Sequence, residues 1–191
     1  MDASTMITVG IVVVVLVVFG AILAWYFSSR QRSQRLREQF GPEYDRILTE
    51  AEDQHKAEAE LEAREERVKS YDIHPLTPEQ HDRYAKAWRS TQAHFVDEPT
   101  EAVVDADQLV SKVMKDRGYP MADFEQRAAD VSVDHANVVT HYRAAHDLAT
   151  KNNRGDADTE DLRQAMVHYR ALFEDLLEAP QDITMDKEKV S

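Results

Sequence analysis

The sequence predicts an all-α protein: an N-terminal transmembrane helix, a charged stalk helix, then a compact bundle of about five helices ending in an antiparallel helical hairpin. Three observations predict it. Ile7 to Phe27 runs for twenty-one residues without a charge. Beyond it no stretch alternates convincingly, and the whole chain has only 5 glycines among abundant alanine, glutamate, arginine and leucine. Apolar residues further on recur at i, i+3 and i+4, the spacing that lines one face of a helix.

The first element is the uncharged run. A helix rises about 1.5 Å per residue, so the run matches a hydrocarbon core of about 30 Å. Only Asp2 precedes it among charged residues, while Arg30, Arg32, Arg35 and Arg37 follow it. Positive charge beside a span stays cytoplasmic, which places the N-terminus outside and residues 30–191 inside an inner membrane. Trp25, Tyr26 and the four arginines then form the membrane interface. The acidic start and the length of the run argue against a cleaved signal peptide. Gly20 and Ala24 permit a small-xxx-small contact, a route to a weak homodimer through the span.

Composition bounds the rest. The net charge is −13, and Asp2 is the one charge before residue 30, so residues 30–191 carry −12. Such a surface repels nucleic acid and suits a basic protein partner. With 0 cysteines there are no disulfides, thiolate metal sites or cysteine nucleophiles. Four segments follow: an anchor over 1–29, a juxtamembrane and charged stalk helix over 30–72, a helical bundle over 73–178 and a loose tail over 179–191.

Gly41-Pro42 punctuates the start of the stalk helix, which runs to about Lys69 with ten acids and five bases in residues 41–70. Glu52–Lys56, Glu60–Arg64 and Glu65–Lys69 are favourably oriented i,i+4 pairs. Ile47, Gln54, Leu61 and Val68 repeat every seven residues, but Glu50, Ala57 and Arg64 spoil the seam. The reading is a solvated stalk, with a weak dimeric coiled coil as the alternative. Pro75 makes Tyr71–Leu76 a hinge.

The bundle begins at Thr77-Pro78-Glu79-Gln80, a capping box with proline at the first helical position. Its helix aligns Tyr84, Trp88, Thr91 and Phe95. The next carries Ala102, Val103, Ala106, Leu109, Val110, Val113 and Met114 on one stripe and ends at Arg117-Gly118-Tyr119-Pro120, where Gly118 takes a left-handed cap. A short helix turns Met121, Phe124, Ala128 and Val131 inward. Two helices close the bundle, over about 134–152 and 159–177. Each contains His-Tyr-Arg-Ala, at 141–144 and 168–171. Folded about Gly155-Asp156, the hairpin matches Tyr142 with Tyr169, Ala149 with Leu162, Ala145 with Met166 and Val138 with Phe173. It also sets His141 level with Arg170 and Arg143 with His168.

Three strings carry a resemblance: Phe40-Gly41-Pro42-Glu43-Tyr44-Asp45-Arg46; Arg117-Gly118-Tyr119-Pro120 with Asp123 to Ala129; and Arg163 to Arg170, RQAMVHYR. Over residues 36–177 the chain resembles a group of uncharacterised bacterial single-pass membrane proteins. The resemblance implies a bacterial inner membrane and brings no activity and no functional residues.

Chemistry is sparse. Glu52-Asp53-Gln54-His55 is a lone ExxH, where a di-iron bundle needs two such motifs and two more glutamates. HExxH, GxSxG and GxxxxGK[ST] are absent. No catalytic, metal or cofactor-binding residue is assigned and no cofactor is expected. The candidate interaction patch is His141, Tyr142, Arg143, His168, Tyr169 and Arg170. The expected function is a membrane-tethered helical interaction or scaffold module that docks a protein partner. The alternative is a ligand-binding or enzymatic bundle with its site at the Tyr142/Tyr169 level.

Overall fold

The computed structural model describes residues 3–51 and 53–178, without the side chains of residues 3–15, 24 and 25. The described residues form eight helices: α1 (Ala3–Phe40), α2 (Pro42–Ala51), α3 (Gln54–Lys69), α4 (Pro78–Asp97), α5 (Pro99–Asp116), α6 (Phe124–Asp134), α7 (Ala136–Asn153) and α8 (Thr159–Glu178). The chain divides into two compact units, residues 1–39 and 40–191.

In the first unit, α1 is one helix 38 residues long when counted to Phe40. Among the described residues no helix is long and apolar enough to cross a membrane. This corrects the transmembrane element of the expected fold. The described apolar side chains run only from Leu16 to Leu23 and resume at Tyr26 and Phe27 before Ser28, Ser29 and Arg30. The remainder of Ile7–Phe27, including Trp25 and Ala24, lies outside the described side chains. The sidedness and the membrane interface expected for Tyr26, Arg30, Arg32, Arg35 and Arg37 rested on that span. Leu16, Val17, Phe19, Ile22, Tyr26 and Phe27 are exposed within this unit.

In the second unit the α7–α8 hairpin is the middle layer. His141 opposite His168 and Lys151 opposite Asp161 show that the two helices run antiparallel. On one side, α4 and α5 pair and α5 packs on both α8 and α7; on the other, α2 and α3 pair, α2 packs on α7, and α3 reaches it through α6. The core is continuous from Tyr84 and Trp88 through Val110 and Val113 to Tyr142, Ala145, Tyr169 and Leu172. Each large side chain fully buried there contributes about 1.5–3 kcal/mol.

Local signals explain the boundaries. Thr77 accepts from the Gln80 amide while the Gln80 side chain accepts from the Thr77 amide, closing both arms of the capping box. All seven residues of the α5 stripe are buried. Gly118 adopts φ +95°, and a Cβ there would meet the Asp72 carbonyl oxygen at 2.1 Å. Asp123 caps α6 by accepting from the Gln126 amide, so Met121 precedes the helix and is exposed rather than inward.

The stalk needs a second correction. The charged stretch is two helices, broken near Asp53, which caps α3 by accepting from the Lys56 amide. Ile47, Ala57, Leu61 and Val68 are buried within this one chain. The apolar heptad positions are thus covered by the chain's own helices rather than by a coiled-coil partner. Ionic and hydrogen-bonded pairs bury Glu43, Glu58 and Arg64, which a reading of net polarity assigns to water. The expected tail, 179–191, lies outside the described residues.

Candidate functional site

The six residues of the expected patch do not form one surface. Tyr142 and Tyr169 do share a level and are both fully buried. The Tyr142 hydroxyl accepts from Arg127 Nε at 3.2 Å, and the Tyr169 hydroxyl donates to Asp107 Oδ1 at 2.8 Å. Burial raises the pKa of both phenols, and the Asp107 carboxylate raises that of Tyr169 further. Both remain neutral donors and acceptors in the physiological range. The level is closed core, with its hydroxyls committed to Arg127 and Asp107.

His141 lies opposite His168, with the two Nδ1 atoms 2.8 Å apart, and not opposite Arg170. The reason is rotational. Each residue turns a helix by about 100°. In an antiparallel pair the residues one step before two facing positions fall on the same side of the hairpin. His141 and Arg170 match in height but not in side. One nitrogen of the pair must carry the shared proton and the other accept it, so the two rings cannot both be charged without repulsion. Burial, then His141, lowers the pKa of His168.

Arg143 leaves this group altogether. Its Nη2 reaches Glu43 at 3.2 Å and its Nη1 reaches Glu125 at 2.6 Å. Glu43 is the centre of a network that the sequence does not announce. Its carboxylate accepts from Arg46 at 2.9 and 2.7 Å and from Arg64 Nη1 at 2.9 Å, as well as from Arg143. Burial alone would raise its pKa, but Arg46, Arg143 and Arg64 outweigh it and hold the value below the ordinary one. An open cleft of about 340 Å³ lies over these arginines, and Glu50, Glu60, Asp123 and Glu125 line it too, so no unbalanced positive field remains there.

Two further features were not foreseen. Asp175, His135 and Arg117 form a line: His135 Nδ1 contacts Asp175, and Arg117 Nη1 lies 3.2 Å from His135 Nε2. Arg117 can only donate, so His135 Nε2 accepts and its proton sits on Nδ1, toward Asp175. Arg117 Nη1 also donates to the Leu176 carbonyl near the end of α8. This orients an arginine and offers no nucleophile.

The other is a groove between α4 and α8. Trp88 stacks on Phe173 with centroids 4.7 Å apart, and its indole N–H is buried without a hydrogen-bond partner among the described residues. An open cavity of about 390 Å³ lies over them, rimmed by Arg89, Gln92, Arg170, Glu174 and Glu178. Arg170 pairs with Glu174 at 2.7 Å. The signal in the sequence was Trp88 on the inward face of α4, read as core alone.

Among the described residues no group of three or more histidine, cysteine, aspartate or glutamate side chains could hold a metal ion. Comparison with protein-family models, curated proteins and solved structures finds no match to this chain.

Proposed function

We propose that the helical unit is an interaction module that docks a basic protein partner, with the α4–α8 groove as the docking face. One observation carries the reading: the Trp88–Phe173 stack lies under an open groove with its indole N–H unpaired. Tryptophan and arginine are the residues that most often dominate binding energy at interfaces, and an orphaned buried donor gains a hydrogen bond when a partner supplies an acceptor. The chain's net charge of −13 favours encounter with a positively charged partner. At the rim itself Arg89 and Arg170 balance Glu174 and Glu178, so the steering charge is that of the whole chain and the contact is carried by the aromatic pair.

The test is a photo-crosslinking residue at Gln92, in the groove, compared with one at Thr140, on exposed α7 surface. The reading expects a discrete basic species from Gln92 alone. The purified species should bind the full chain with an affinity that falls as salt rises. Equal capture from both positions, or binding indifferent to salt, would count against it.

A further inference from the structure

Next to the groove, and independent of whether a protein docks in it, lies a smaller and more enclosed cavity of about 250 Å³. Its walls are mixed: Pro75, Leu76 and Pro78 from the segment entering α4, Leu176 and Leu177 from the end of α8, and His81 and Asp82 of α4. Arg117 also lines it. That arginine is more than nine-tenths buried, at 6% exposure, and no carboxylate lies within ion-pair distance of it among the described residues. A buried cation normally has a paired anion, because desolvation without one is costly.

The unused part of the guanidinium has a specific shape. Nη1 is occupied by Leu176 O and His135 Nε2. Nε is buried and unpartnered. Nη2 makes no hydrogen bond among the described residues and is not sealed from solvent, which leaves it facing the cavity. Nε and Nη2 are the two N–H groups along one edge of the ring-like fork, the edge that fits a carboxylate with two parallel hydrogen bonds. His135 and Asp175 fix the opposite side, so Nη2 is held in place before any ligand arrives, while Nε is covered and a ligand must displace what covers it to make the second bond.

We propose that this cavity is a carboxylate-binding site, in which Arg117 takes the carboxylate side-on and Leu76, Leu176 and Leu177 enclose a short aliphatic group behind it. The volume is below the range of about 300–1,000 Å³ of drug-sized pockets, which limits the ligand to a small aliphatic acid or the C-terminal residue of a peptide. Asp82 lies at the rim, largely exposed and 3.5 Å from His81. Its charge opposes a second carboxylate, which selects monoacids.

The experiment follows the Arg117 side-chain Nε–H resonance of the full chain at fixed ionic strength. The probes are butyrate and an N-acetylated dipeptide ending in leucine, each beside its uncharged amide. Saturable binding of either acid, with the amide at least about tenfold weaker, supports the site. Butyrate binding assigns a free acid, whereas binding of the dipeptide alone assigns a peptide terminus. Arg117→Gln should abolish binding, but it also removes the bond to Leu176 O. Leu76→Trp therefore serves as the second variant, filling the cavity while leaving Arg117 in place, with an expected loss of about tenfold or more. Absence of saturation by both acids, equal binding of the amides, or unchanged affinity in Leu76→Trp would overturn the proposal.

Discussion

Arg143 on α7 donates to the carboxylate of Glu43 on α2 at 3.2 Å, joining residues 100 apart in sequence. That contact, with those from Arg46 and Arg64, makes the charged stretch a wall of the bundle rather than a spacer. The Glu43 side chain has no exposed surface, so its charge depends on the three guanidinium groups for solvation. Removing one partner of a buried ionic cluster costs more than the cluster contributes net, because the others are left buried and unpaired.

Glu43→Gln should therefore destabilise the fold by about 3 kcal/mol in chemical denaturation. The pH dependence has a fixed sign. The folded pKa of Glu43 lies below the ordinary 4.5. Its stabilisation is complete above that ordinary value and is lost as pH falls through the lowered one. The variant should show a shallower loss of stability on acidification.

The histidine pair predicts a second pH effect. The folded pKa of His168 lies below the ordinary 6.5 because of burial and His141. The unfolded chain then binds more protons as pH drops below 6.5, and stability declines from there until the folded value is passed. His168→Asn should flatten that stretch of the profile, measured as midpoint against pH.

Tyr169→Phe removes the donor to Asp107 and keeps the ring. The expected loss is about 1.5 kcal/mol, as for a hydrogen bond to a charged group, with the fold retained. A circular dichroism melt beside a denaturant titration checks both parts.

Gly118 and Gly41 both have positive φ, at +95° and +47°, but their surroundings differ. A Cβ at Gly41 meets nothing within 4 Å, so Gly41→Ala should cost about 1–2 kcal/mol from backbone strain alone. At Gly118 the Asp72 carbonyl blocks the space, and Gly118→Ala should cost about 3 kcal/mol or more. Equal losses would contradict the close approach of the 70–73 segment.

Much of the helical unit is legible because its signals are local. The Thr77–Gln80 box, the α5 stripe and the αL glycine at 118 each lie within a few residues. The antiparallel hairpin and the inward positions Ala145, Ala149, Leu162 and Met166 are legible for a related reason: a short turn returns α8 along α7, and all four side chains are buried. The candidate patch failed where height was mistaken for side, at His141 and Arg170. Glu43 and Arg117 were out of reach because their surroundings come from distant parts of the chain: Arg64 and Arg143 for one, Leu76, His135 and Leu176 for the other. The membrane-spanning reading rested on an unbroken apolar run, and the described side chains hold only part of it.

Hydrogen exchange on the full chain, with and without the species captured at Gln92, tests the docking face most directly. The account predicts slowed exchange in residues 78–97 and 159–178, centred on Trp88 and Phe173, with α2 and α3 unchanged. Protection confined to residues 42–69, with α4 and α8 exchanging as before, would contradict it.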